Sequence, residues 1–309
     1  MRRKGFTLVE LLVVIAIIAL LMGILMPALA RVRQLAFRMT CGTNLSGIGK
    51  AMLLYSNDYQ DELPRAGGRT STWGALADWT NANRIGAFQT DAMGSGGAAT
   101  ISSCFYLLVK FTEVTPKSFL CKGDSGTNEF KLADLGTQPT SGFELIDAWD
   151  FGPAADAYKH CSYSYHFPFG LYALTVSSEP GFAVAADRNP FLESPAGTAR
   201  DLTLFKPDLT TGGFGGTSDQ AKQGNCNGHQ LDGQNVMFLD THVTFEKRSY
   251  CSIEDDNIYL VSRNANTGDA YGTLPTVPTV LIQNRKDSVL VHDPSSWASS
   301  ASTTRATRS

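Results

Sequence analysis

Residues 11–30 form an uninterrupted run of 20 positions without a charge. The pattern then changes. Val32, Leu35, Ala36 and Met39, followed by Leu45, Ile48, Met52, Tyr55 and Tyr59, recur mostly at spacings of three and four. That period belongs to a helix laid against a core. Residues 6 to about 60 therefore read as one long helix in two chemical halves. Residues 6–30 make a membrane-spanning half whose apolar run extends about 30 Å, one bilayer core. Residues 31–60 make an amphipathic continuation. Pro27 lacks a backbone donor and is expected to kink the first half. Gly42, Gly47 and Gly49 each cost about 1 kcal/mol in a helix interior relative to Ala. They predict either a loosened stretch near 40–50 or a close approach to a sheet.

Beyond Leu63-Pro64 the period is lost. Residues 65–72 read as a Gly-rich loop, and Gly94-Ser95-Gly96-Gly97 as the centre of a mobile insertion. Residues 104–111 are a short apolar element, helix or strand, which periodicity alone does not resolve. Residues 125–160 look loop-like. Strands are expected at 162–167, where aromatic residues alternate with small or polar ones, and at 181–187, which ends in Asp187. Residues 235–246 read as a hairpin turning at Asp240-Thr241. Residues 210–217 look like a Gly/Thr linker, and 295–309 a disordered Ser/Thr-rich tail. The implied class is α+β. A long N-terminal helix packs on a mainly antiparallel sheet with long loops, in an extracytoplasmic domain over 61–294.

Charge changes the picture at the N-terminus. Arg2, Arg3 and Lys4 precede the apolar run, and Glu10 sits at its start. A carboxylate beside a membrane segment is costly and points to function. A secretory signal would have a shorter apolar region and a small-residue cleavage site such as Pro27-Ala28-Leu29-Ala30. A plain single-pass anchor explains the length and the basic flank but not Glu10.

Lys4-Gly5-Phe6-Thr7-Leu8-Val9-Glu10 with the apolar run after it resembles the leader of type IV pilins and type II secretion pseudopilins. The resemblance implies that a prepilin peptidase cuts between Gly5 and Phe6, leaving residues 1–5 as a leader, and N-methylates Phe6. It also assigns Glu10 to subunit assembly and Pro27 to a helix kink. The implied partners are that peptidase, other pilin or pseudopilin subunits, the inner-membrane assembly platform and membrane lipid. The location implied is the inner membrane, single-pass, with a cytoplasmic N-terminus and a periplasmic domain.

Cys41, Asn44-Leu45, Ile48-Gly49, Tyr55, Asp58-Tyr59 and Pro64 are similar to the helix of large pilin-like proteins of planctomycete-type bacteria. Those proteins end in a segment named for His-x9-Asp-Gly, which residues 229–246 resemble. Here ten residues separate His229 from Asp240, and Thr241 stands in place of the glycine. A tight type I′ turn wants positive φ, which a β-branched Thr resists, so a longer or different turn is expected.

The chain has 309 residues, 18% of them charged, and a net charge of −3, which loss of Arg2, Arg3 and Lys4 would take to −6. No basic stripe remains to suggest a nucleic-acid partner. Cys41, Cys104, Cys121, Cys161, Cys226 and Cys251 include no Cys-x-x-Cys pair. In an oxidising compartment they are disulfide candidates with open pairing. His229, Asp232, Asp240 and His242 crowd into 14 residues, with Asp187 a candidate neighbour. They could hold calcium or another divalent metal, or simply cap turns and pack between strands. Nucleophile-elbow, phosphate-loop and dinucleotide motifs are all missing, so no enzyme is expected. Two functions remain, a filament subunit or a surface-binding protein that uses the pilin anchor for export. The second would draw on Trp73, Trp79, Trp149, Tyr163, Tyr165 and Tyr172 as contact aromatics.

Overall fold

The computed structural model describes residues 7–135, 142–210, 212–278 and 280–297. Helix α1, Leu8–Asp58, is continuous over 51 residues and passes through Pro27 without interruption. At 1.5 Å per residue it is about 76 Å long. Next come β1 (Thr72–Trp73), α2 (Arg84–Phe88), β2 (Ala98–Ala99), α3 (Ile101–Thr112) and α4 (Ala154–Ala157). The C-terminal part supplies β3 (Tyr163–His166), β4 (Ala183–Asp187), α5 (Ser218–Lys222), β5 (Gln234–Phe238), β6 (Val243–Glu246) and β7 (Leu290–Val291).

The class is α+β. Strands β6-β5-β4-β3-β7 make one antiparallel five-stranded sheet. Its strands β5, β4, β3 and β7 are buried on both faces, strand alternation sending successive side chains to opposite cores, while the edge strand β6 is partly exposed. Tyr163, Tyr165 and Met237 join the core under α1 and α3, whereas Val236, Phe238 and Leu290 join a second core with Phe191, Phe205 and Tyr259. In β4 the alternation breaks at a bulge between Ala183 and Ala185, so Val184 and Ala185 both serve the helix side.

The apolar element at 104–111 is helical. Thr100 caps α3, its side chain accepting from Ser103 N. Asp293 accepts from the first free amides, Ile101 N at 2.8 Å and Ser102 N at 2.7 Å. These bonds satisfy donors that a helix start leaves open. The Gly94–Gly97 stretch is tied down rather than loose. Gly96 N donates to Thr70 Oγ1, and Thr72 N donates to Gly97 O as β1 pairs with β2. At the C-terminal end, Trp297 packs edge-on to buried Trp73, so residues 295–297 belong to the fold. Residues 298–309 of the expected tail lie outside the described residues.

The amphipathic stripe of α1 divides. Leu45, Ile48, Met52 and Tyr55 are buried against the sheet and α3, but Val32, Leu35, Ala36 and Met39 are exposed. The domain-facing side there is polar. Gln34 Nε2 donates to Gln230 Oε1 at 2.6 Å, and Arg38 pairs with Asp232 while lying over the Phe245 ring. Helix phase forces the apolar residues outward once Gln34 and Arg38 face in.

Candidate functional site

Two regions carry the sequence-predicted residues. The first is the start of α1. Thr7 is extended (φ −87°, ψ 152°), its side chain accepts from Glu10 N, and the Glu10 carboxylate accepts from Thr7 N at 2.8 Å and Thr7 Oγ1 at 2.7 Å. This is a reciprocal capping box, legible in the sequence as Thr-x-x-Glu. Gly5 and Phe6, with the rest of the leader, lie outside the described residues. Residues 7–33 are exposed at every position. Ile24, for example, keeps 69% of its surface and Leu25 63%. Water is a poor solvent for such a face, so the long apolar helix fits a membrane-anchored protein.

The second region is 229–246. Residues 234–238 and 243–246 form the β5–β6 hairpin. Phe238 N donates to His242 O, and Thr241 N donates to Phe238 O. The loop is thus the longer, three-residue kind, yet Thr241 still takes the left-handed conformation, at φ +68°. Asp240 and His242 pair with each other at the exposed tip; that contact holds the Asp240 carboxyl below its usual range.

The four proposed metal ligands do not converge. His229 lies before β5 and Asp240 and His242 after it, about 13 Å apart by strand rise. Asp232 turns outward to Arg38 of α1. His229 is buried, with Nε2 3.0 Å from Asp187 Oδ2 and 3.2 Å from Asn235 Nδ2. Cys41 of α1 and Cys121 stand on its other side. They are joined by a disulfide with a Cα–Cα distance of 5.4 Å, and Cys121 Sγ is 3.9 Å from His229 Nε2. What the segment does as a whole is seat α1. Gly42 lies against Asn235 and Val243, and Gly49 against Met237 and Thr241.

The remaining cysteine candidates, Cys104, Cys161, Cys226 and Cys251, are not bonded. Burial pushes the Cys104 and Cys161 thiols up to about 12 and those of Cys226 and Cys251 well above their ordinary value. Such thiols are poor nucleophiles. The candidate contact aromatics are also mostly internal: Trp73, Trp149, Tyr163 and Tyr165 are buried. Trp79 packs edge-on to Phe130 and Phe143. Their area stabilises the cores instead of meeting a ligand.

No curated protein and no solved structure matches this chain. Residues 1–26 match the family model for the prokaryotic N-terminal methylation motif. The chain therefore carries a prepilin-type methylation motif at the head of its long apolar helix.

Proposed function

We propose that this chain is a pilin-like structural subunit, cleaved between Gly5 and Phe6, N-methylated at Phe6 and assembled into a type II secretion pseudopilus or type IV pilus-like filament. The observation that carries the reading is the fully exposed apolar half of α1 under a methylation motif. Before assembly lipid covers that half; in a filament, neighbouring helices take its place. The polar seat at Gln34 and Arg38 leaves Val32, Leu35 and Met39 to extend the same outward surface. Glu10, freed from the leader context, pairs with the Phe6 amine of its own or a neighbouring chain. The partners are a prepilin peptidase, sister subunits and an inner-membrane platform, and the domain faces the periplasm. The outer domain is structural and not enzymatic, and the likeness of residues 229–246 to a pilin-processing-associated segment belongs to this reading. Mass spectrometry of protein isolated from membranes tests it. The expected mature chain begins at methylated Phe6, and Gly5→Ala retains the leader. A native chain that keeps residues 1–5, or one trimmed beyond Ala30, overturns the proposal.

One observation favours the surface-binding alternative. A cleft of about 280 Å³ is lined by Phe167, Phe169, Val280 and Ile282 and rimmed by Leu171 and Leu281, which are 93% and 70% exposed. Stoichiometry separates the two readings: a shaft subunit is abundant in the filament, a binding subunit rare.

A further inference from the structure

Four elements meet where α1 enters the domain. Cys41 comes from α1 and Cys121 from the loop after Phe119, while Asp187 ends β4 and His229 precedes β5. One ligand atom from each (two Sγ, an imidazole nitrogen and a carboxylate oxygen) lies within 4.8 Å of the other three, and all four residues are buried. We propose that, once the Cys41–Cys121 disulfide is reduced, these residues bind a single divalent ion of the zinc type.

The donor set and the spacing both suit it. Thiolate, imidazole and carboxylate are the ligands zinc takes, at about 2.0–2.3 Å in a tetrahedron. The edges of such a tetrahedron are then about 3.3–3.8 Å long. His229 Nε2 is already 3.0 Å from Asp187 Oδ2 and 3.9 Å from Cys121 Sγ. The sulfur–sulfur edge, closed by a covalent bond, has to open, and the remaining edges, all within 4.8 Å, have to settle by no more than about 1.5 Å. Asp187 is preset for a ligand. Its Oδ2 accepts from Asn235 N at 2.6 Å and Asn235 Nδ2 at 3.0 Å, while its Oδ1 is buried with no hydrogen-bond partner. A buried acceptor left open in this way is costly unless something else fills it. The Asn235 donors would also orient the carboxylate as outer-sphere partners do in metal sites.

The disulfide and the metal exclude each other, since both use the same sulfurs. A phosphine takes up the disulfide's two oxidising equivalents. With one water the S–S bond breaks to two thiols, and the phosphine becomes its oxide. The metal then displaces the two thiol protons, giving two thiolates, one carboxylate and a neutral imidazole around a dication. Either state clamps α1 to the sheet.

The full-length protein in detergent, with Co²⁺ as probe, tests this. The phosphine-reduced wild type should take up one Co²⁺ per chain and show thiolate-to-cobalt charge transfer in the near ultraviolet with tetrahedral bands in the visible. The oxidised wild type should take up none. The Cys41→Ser/Cys121→Ser double variant should lose the charge-transfer band, and His229→Gln and Asp187→Asn should weaken binding about tenfold or more. A reduced wild type without that band overturns the proposal, as does a band that survives the Cys41→Ser/Cys121→Ser double variant, which would place the metal on other cysteines. Equal uptake by the oxidised protein does so too. The comparison of the two wild-type states needs no variant to fold.

Discussion

Gly49 of α1 faces Met237 of β5 so closely that a Cβ on Gly49 would fall 2.6 Å from Met237 Sδ and 3.4 Å from Thr241 Cβ. Two residues earlier, Gly47 has nothing within 4 Å of the same position. Both glycines weaken the isolated helix equally, so their substitutions should part in sign. Gly47→Ala is expected to stabilise by up to about 1 kcal/mol. Gly49→Ala must displace buried Met237, and overpacking of this kind costs about 1–3 kcal/mol, which outweighs the helix gain. Thermal unfolding of the full chain in detergent reads the difference. Equal increases in midpoint would show that the seat is not close.

Thr241 carries a second, local strain. Its φ of +68° puts a β-branched residue where glycine is at ease. The left-handed conformation costs a non-glycine residue about 1–2 kcal/mol. Thr241→Gly is therefore expected to raise stability by about 1 kcal/mol, less what its contact with α1 contributes. A fall in the unfolding midpoint would mean that the contact outweighs the strain.

Asp150 should set part of the pH profile. It is fully buried, accepts from Phe151 N at 2.8 Å and from Thr100 Oγ1, and shares its surroundings with Asp293. Burial first, and the Asp293 charge second, push its carboxyl up to about 8. The folded state thus keeps a proton that the unfolded chain has lost above about pH 4. Its contribution is full below that value and is lost as pH rises through about 8. Asp150→Asn, which cannot ionise, should flatten the decline in unfolding midpoint between about pH 5 and pH 8. Burial acts with the opposite sign on His166, whose imidazole is pushed down to about 4. That costs stability as pH falls below about 6.5, and it cancels between wild type and variant. Parallel profiles for the two proteins would rule Asp150 out as the titrating group.

The capping box separates two roles of Glu10. Thr7→Ala removes the Thr7 hydroxyl from the box but leaves the carboxylate. Glu10→Ala removes both the box and any partner for the Phe6 amine. If assembly depends on the amine, Glu10→Ala should be processed normally and give few filaments, whereas Thr7→Ala should assemble near wild-type level. Equal filament yields from the two variants would reduce Glu10 to a helix cap.

Much of the architecture was readable from local patterns. The stripe at Leu45, Ile48, Met52 and Tyr55 follows from a period that one buried face imposes, and β3 shows as aromatic residues alternating with small or polar ones. Thr100 ahead of an apolar run, and Thr7 three residues before Glu10, are caps that local spacing also announces. The outward turn of Val32, Leu35 and Met39 was not legible. It depends on Gln34 and Arg38 finding Gln230 and Asp232, nearly 200 positions away in the chain.

By itself, then, the sequence determined the methylation motif, the uncharged run and the helix that continues it, because each is written in neighbouring residues. The tertiary structure alone decided that Cys41 meets Cys121, that Asp187 rather than Asp232 or Asp240 faces His229, and that the 229–246 segment is a seat for α1. Those pairings cross 42 to 201 positions of chain. They are selected by how two buried cores close around one sheet, a condition that no local spacing encodes.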